Sequence, residues 1–249
     1  RRGERLASTI DGGESGVMGI RPSRPPEPRL EILLEDADVI VVVKPAGLPT
    51  ANAPRGAPSL FTLVQAHLRS NAFVGVVSRL DAPVSGVVVM AKSKAAAADL
   101  AKQFRERTVE KSYVAICGGR FPAPLGQWVD WHDTIANPKK GQQRGASPPG
   151  QAAHARARVT RRAGEVSLVE LQPSSGRRHQ LRAQLGSRGA PIVGDRLYGS
   201  RLPFPQGIAL HAGALAFDHP TTGKRVSLKA PVPASWKTRY PLLMGPERG

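Results

Sequence analysis

Val76-Val77-Ser78-Arg79-Leu80-Asp81-Ala82-Pro83-Val84-Ser85-Gly86-Val87-Val88-Val89-Met90-Ala91-Lys92-Ser93 sets one acid between two apolar runs. Phe73 to Val77 lead into it and Val87 to Met90 follow. Both read as buried strands, with residues 82–86 as the turn between them. A carboxylate anchored at the mouth of a sheet needs a hydrogen bond or a cation to stay charged. A turn aspartate that bonds its own backbone is the plainer reading of an Asp beside Pro and Gly.

Outward from this stretch the chain mixes strands and helices. Leu30 to Leu34 and the β-branched run Val39 to Val43 read as strands, and Lys44-Pro45-Ala46-Gly47-Leu48-Pro49 closes them in a rigid loop. Ser59 is placed to cap a helix to about Leu68, and Ser93 a second, alanine-rich one from Lys94 to about Arg107. Lys111 to Cys117 is the next strand and carries Tyr113. From Ala153 to Arg162 small or apolar residues alternate with His154, Arg156 and Arg158, the pattern of a strand with one cationic side, and Ala163-Gly164 turns it into Val166 to Leu171. Arg177 to Leu185 reads as a helix with Leu181 and Leu185 inward and with Arg178 and Arg182, four apart, on a shared face. Ile208 to Phe217 and Arg225 to Lys229 flank a second hairpin. Such an order predicts an α+β fold rather than a doubly wound sheet.

Two segments stand outside this frame. Residues 1–29, rich in Arg, Gly, Pro and Ser, read as a flexible N-terminal segment or a trimmed leader, ahead of a single domain over 30–249. Residues 121–151 read as one long basic loop, its insertion centred on about 132–151 with Lys139, Lys140 and Arg144 near the tip. The compartment is left open between cytoplasm and an organelle.

Charge narrows the partners. The 249 residues carry 36 Lys+Arg against 19 Asp+Glu, a formal net charge of +17, which suits a polyanionic partner. Nucleic acid comes first; an anionic membrane surface is the weaker alternative, since no long basic amphipathic helix stands out. At 5% aromatic residues the chain lacks a platform for many stacked bases, so phosphate contacts with one or two stacked bases are expected. A lone cysteine, Cys117 in Tyr-Val-Ala-Ile-Cys, excludes an internal disulfide and reads as inert packing. Six scattered histidines offer no short-spaced ligand pair on one helix, so no metal is expected. Gly86 to Ser93 misses a phosphate-binding loop by one residue, Ala91, and its four strand-forming residues cannot turn their N–H groups inward. An arginine from the 177–182 helix within about 4 Å of Asp81 would gain about 4 kcal/mol at an effective dielectric near 20, before desolvation.

Lys44-Pro-Ala-Gly-Leu, Arg79-Leu-Asp81 with Ser85-Gly86, Lys111-Ser-Tyr113, Gly176-Arg177-Arg178-His179-Gln180-Leu181-Arg182, Gly194-Asp-Arg-Leu-Tyr-Gly199 and Leu210-His-Ala follow one another in a telling order. In that order and rough spacing the chain resembles the RluA-type RNA pseudouridine synthases over about residues 30–233. The resemblance implies a long, bent, mainly antiparallel sheet flanked by helices, with an RNA cleft across it. It implies an isomerase acting on a uridine of rRNA or tRNA, a monomer that needs neither cofactor nor metal and does not work at a membrane. By resemblance Asp81 is the essential carboxylate and Arg177 its ion-pair partner. Tyr113 stacks on the uracil and is the candidate for removing the C5 proton, and Arg79 enters the space left by the flipped base. Lys44, Arg178, Leu181 and Arg182, carried by the same motifs, are the further candidates for binding substrate.

The chain departs from the family pattern at Ser78, where His is usual before Arg-Leu-Asp, at Val84, where Thr is usual, and at Arg178, again in place of Thr. Those departures and the excess charge suggest the second reading, a catalytically silent RNA-binding or ribosome-assembly factor on the same fold.

Overall fold

The computed structural model describes residues 30–69, 71–119, 121–135 and 150–245. Nine strands among the described residues form one mixed sheet, ordered β1-β2-β3-β8-β4-β7-β6-β5 with β9 also on β8. Most pairs are antiparallel; β3 with β8 is the parallel one.

The first half is a three-layer sandwich. β1 (Glu31–Glu35), β2 (Val39–Lys44) and β3 (Ser85–Ala91) pair antiparallel. Each side chain of a strand points opposite to the next, so β2 feeds two cores at once. Ile40 and Val42 pack with Leu60 and Val64 of α1 (Leu60–His67), while Val39 and Val41 pack with Ala96 and Leu100 of α2 (Lys94–Glu106). That double burial is why Val39 to Val43 and Val87 to Met90 are unbroken apolar runs. Ser59 and Ser93 cap the two helices as their sequence predicts, each accepting from the backbone N–H three residues on; Thr62 completes a reciprocal box with Ser59.

The second half is a curled antiparallel sheet. β4 (Glu110–Gly118) and β7 (Val166–Pro173) are neighbours, then β6 (Gln151–Ala163) and β5 (Trp128–Ile135). Ala153, Ala155, Ala157 and Val159 turn inward, leaving His154, Arg156 and Arg158 on the other side, as the alternation predicts. Leu181 and Leu185 of α3 (Gln180–Ser187) close this core against Leu171 and Ala157. β5 corrects the sequence reading: residues 128–135 are strand, not the start of a loop, and register-paired with β6 from Trp128↔Arg158 to Ile135↔Gln151. Residues 1–29 and the basic tip with Lys139, Lys140 and Arg144 lie outside the described residues.

The halves join through β8 (Leu210–Asp218). One edge pairs with β4; the other is shared by β3, at Ser85↔His211 and Gly86↔Ala212, and by β9 (Arg225–Lys229), from Ala214 onward. The sheet therefore forks at Gly86, whose φ of 125° belongs to glycine. A β-carbon there would sit 2.5 Å from the Ala212 nitrogen and closer still to its carbonyl oxygen. α4 (Ala234–Arg239) and α5 (Pro241–Met244) cover the second core with Trp236 and Leu243. No described helix is long and apolar enough to cross a membrane.

Candidate active site

The fork opens a cleft of about 1230 Å³ between the two halves, larger than the ~300–1,000 Å³ of ordinary small-molecule pockets. Its walls come from residues 76–84, the end of α2, β4, the β7–α3 connection and β8. Arg79, Arg105, Arg107, Lys111, Arg177, Arg178 and Arg182 line it, and Asp81 is the single carboxylate among its lining residues. Low-dielectric walls carrying one sign of charge draw in a polyanion and hold its phosphates.

Asp81 sits on a loop whose backbone carbonyls from Leu80 to Pro83 are all hydrogen-bonded. Thr50 Oγ1 donates to Leu80 O at 2.8 Å, and Val84 N–H closes a turn onto Asp81 O at 3.0 Å. Ala82 O accepts from Gly47 N–H at 2.8 Å and from the Lys44 ammonium at 3.1 Å. Pro83 O accepts from Ile208 N–H at 3.1 Å. Leu80, between them, packs into two of the cores. A loop so tied fixes the direction of its one acid, which makes Asp81 more than a self-capping turn residue. Its side chain keeps 28% exposure, so a ligand can reach it. The apolar approach at 73–77 is not a full strand but a single bridge, Gly75↔Ala91.

The guanidinium at Asp81 is that of Arg182, with Nη1 3.0 Å from Oδ2. Its remaining fork is taken by Asp195, Nε to Oδ2 at 2.7 Å and Nη2 to Oδ1 at 2.9 Å, and the Asp195 side chain is only 1% exposed. Tyr198 presents its ring to the same guanidinium, 5.2 Å from the centroid. Burial opposes the charge of Arg182, but its hydrogen bonds to Asp195 and Asp81 outweigh it and raise its pKa above the ordinary value.

Arg177, expected as the partner of Asp81, is elsewhere: its Nε donates to Ala152 O at 3.2 Å. The cause is local. Residues 177–185 are not one helix, because His179 adopts the left-handed conformation (φ 53°) and α3 starts only at Gln180. Gln180 then reaches back, accepting from Arg177 N–H at 3.1 Å and Ser175 Oγ at 2.7 Å while donating to His154 O at 2.9 Å. This staples residues 175–177 to β6 and turns Arg177 away. Arg178 and Arg182 accordingly do not share a helix face.

The other expected residues divide. Tyr113 lines the cleft on β4, and burial followed by the nearby Asp81 pushes its phenol up to about 12. Leu181 is buried at the floor, and Arg79 and Arg178 are exposed at the rim. Lys44 is fully buried and does not line the cleft, which corrects its reading as a substrate contact. Its ammonium donates to Pro45 O, Leu48 O and Ala82 O, and burial, against the pull of Asp81, lowers its pKa to about 8. Arg182 likewise is spent on two carboxylates rather than on substrate. Of the departures, Val84 is a buried core residue and Ser78 a half-buried cleft residue.

Four residues at the site were given no role from sequence. His179 and Tyr198 flank the acid, Asp195 holds Arg182, and His211 lies beneath the fork. All four belong to quoted motifs, so the signal was their place in those motifs. Asp36, Asp38 and His219 form a cluster of metal-ligand type, but its groups bond one another. His219 Nδ1 accepts from the Thr221 and Thr222 N–H groups, which leaves the Nε2 proton for Asp36 at 3.0 Å, while Thr221 Oγ1 holds Asp38. The cluster ties two turns together, away from the cleft.

The family model described as RNA pseudouridylate synthase matches residues 38–187. The dual-specificity RNA pseudouridine synthase RluA of Escherichia coli is 37% identical over 221 residues, 86% of this chain and 99% of that protein. The RNA pseudouridine synthase YhcT of Bacillus subtilis is 34% identical over 248 residues, 95% of this chain and 78% of its own. Among solved structures, human RNA pseudouridylate synthase domain containing 4 superposes with a TM-score of 0.66 at 25% identity, covering 83% of this chain and 90% of that one. Human RNA pseudouridylate synthase domain containing 1 gives 0.65 at 26% identity, covering 82% and 83%. With the mixed sheet and its cationic cleft, likeness of this extent makes the chain a member of the RluA-type RNA pseudouridine synthases, isomerases that convert uridine in RNA to pseudouridine.

Proposed function

We propose that Asp81 is the catalytic carboxylate of this isomerase and that its substrate is a uridine in structured rRNA or tRNA. One observation carries the reading: the single acid lining a cleft otherwise bordered by cations is held by Arg182 through Oδ2 alone. Oδ1 is thereby the oxygen offered to the sugar. The target nucleotide leaves its stack to enter the cleft, with its uracil between Tyr113 and Leu181 and with Arg79 filling the gap behind it. Asp81 then bonds C1′ or takes the 2′ proton, and by either route the N1–C1′ bond breaks. The uracil turns and C5 bonds C1′ as the Asp81–C1′ bond breaks or, on the other route, as the 2′ proton returns from Asp81; the C5 proton is then lost and N1 gains one, so the product is an isomer. A phenol held near pKa 12 stays neutral, so Tyr113 serves as a stacking face and a hydrogen-bonding tip rather than as a standing anion. The protein is taken to act on that RNA as a monomer.

Mapping pseudouridine position by position in host rRNA and tRNA, with and without the gene, tests the proposal. A site that disappears with the gene and returns with the unaltered protein, but not with Asp81→Asn, supports it. Asp81→Asn should still bind RNA. An unaltered protein that restores no site favours an assembly factor instead.

A further inference from the structure

His179 holds a strained backbone conformation. A non-glycine residue in the left-handed region is uncommon, and at the start of α3 its side chain makes no capping bond, so backbone geometry alone gives no reason for an imidazole. The ring is hydrogen-bonded at one end and faces the acid at the other, just beyond hydrogen-bond length. Nδ1 lies 3.1 Å from Tyr198 OH and Nε2 lies 3.6 Å from Asp81 Oδ2, with the two aromatic rings edge to face at 5.9 Å. These contacts choose the tautomer. A bare Nε2 would set a lone pair against the carboxylate, whereas a phenolic proton given to Nδ1 leaves the imidazole proton on Nε2, aimed at Asp81. Burial, with Arg182 and Arg178 beside the ring, favours the neutral imidazole against the pull of Asp81 and Asp195. Tyr198 is itself seated under Arg182.

Resting on the proposed function, we infer that His179 is a positioning residue of the isomerisation: seated by Tyr198, its Nε2–H steadies Asp81 through Oδ2 and so keeps Oδ1 turned toward the substrate. Arg182 supplies the charge and the hydrogen bond, and His179 is a second contact on the same Oδ2: together they narrow the arc through which that oxygen can swing, and the place of Oδ2 sets the plane of the carboxylate.

The test exploits the backbone. His179→Gly removes the ring but suits the left-handed conformation, and His179→Gln returns a neutral N–H donor of comparable reach. Single-turnover tritium release from unmodified transcripts of host rRNA and tRNA carrying tritium at uridine C5 is measured beside RNA affinity and thermal midpoint. His179→Gly is expected to keep its midpoint and RNA affinity while the rate falls at least about tenfold, with His179→Gln recovering most of it. Tyr198→Phe, which leaves the 179 backbone untouched, should slow release at least about threefold without weakening binding. A His179→Gly rate within about twofold of the unaltered protein overturns the inference, as does an unchanged rate in Tyr198→Phe if the glycine variant melts early. No release by the unaltered protein strikes instead at the isomerase assignment of Asp81, and this inference falls with it.

Discussion

The ammonium of Lys44 lies 3.1 Å from the carbonyl oxygen of Ala82, the residue next to Asp81 and 38 positions along the chain. Strand β2 thus ends in a cation that never meets solvent and holds the loop carrying the acid. Lys44→Met fills the space but leaves Pro45 O and Leu48 O without their donor, at a cost of about 2–5 kcal/mol. Urea unfolding should show that loss, and the conversion rate should fall while RNA affinity holds.

Arg182 and Arg177 separate by experiment as they do in space. Arg182→Ala leaves the buried Asp195 uncompensated and should cost about 3–5 kcal/mol and all measurable conversion. Arg182→Lys spares part of the stability but cannot serve both acids with one point charge, so its conversion should stay at least about 100-fold down. Arg177→Ala should leave stability within about 1 kcal/mol and lower RNA affinity with a shallower salt dependence. Equal catalytic losses at 177 and 182 would contradict the observed pairing.

Gly86→Ala should be among the most damaging small substitutions. The added methyl meets the Ala212 backbone where β3 and β8 touch, in a conformation that alanine resists. A loss of more than about 3 kcal/mol in thermal or urea unfolding is expected. Gly47→Ala, also at positive φ but with open space around it, should cost less.

His211 gives stability a dependence on acid. It is fully buried, with Nδ1 2.9 Å from Ser85 Oγ and Nε2 3.2 Å from Ala230 O, so Ser85 donates and the ring proton goes to Ala230. Burial pulls its pKa below the ordinary 6.5, against the Ala230 carbonyl. The unfolded chain then binds the proton more readily than the folded one, so this stability is whole above about pH 6.5 and drains away as pH falls below it. His179 shifts in the same direction. Urea midpoints at about pH 7.5 and about pH 5.5 should differ less in His211→Asn than in the unaltered protein.

Much of this was legible in the chain. Val39 to Val43 declared a strand buried on both sides, Ser59 and Ser93 declared their helices, and the alanines from 153 to 157 declared the inner face of β6. Residues 128–135 hid because their alternation is broken. Trp128 and Trp131 fall on opposite faces, and Asp133, on the side of Trp131, accepts from Arg188 and Gln184 where an apolar residue would keep the period. At the site, Asp81, Tyr113, Arg79 and residues 177–182 line one cleft, a grouping that the order of the motifs implied. Which arginine meets the acid turned on one left-handed residue, His179, and no helical period contains that information. Lys44 was misjudged for a related reason: a lysine that bonds only carbonyls looks, in sequence, like one that awaits a phosphate.

Strand β8 slots between β3 and β4 although it follows both by more than 90 residues. During translation the acid, its tyrosine and its arginine therefore all emerge from the ribosome before the strand that joins their two supports. A nascent chain of this protein should convert no uridine until β8 has been made, and a truncation between Arg182 and Leu210 should yield a fragment that carries every reacting group and converts nothing.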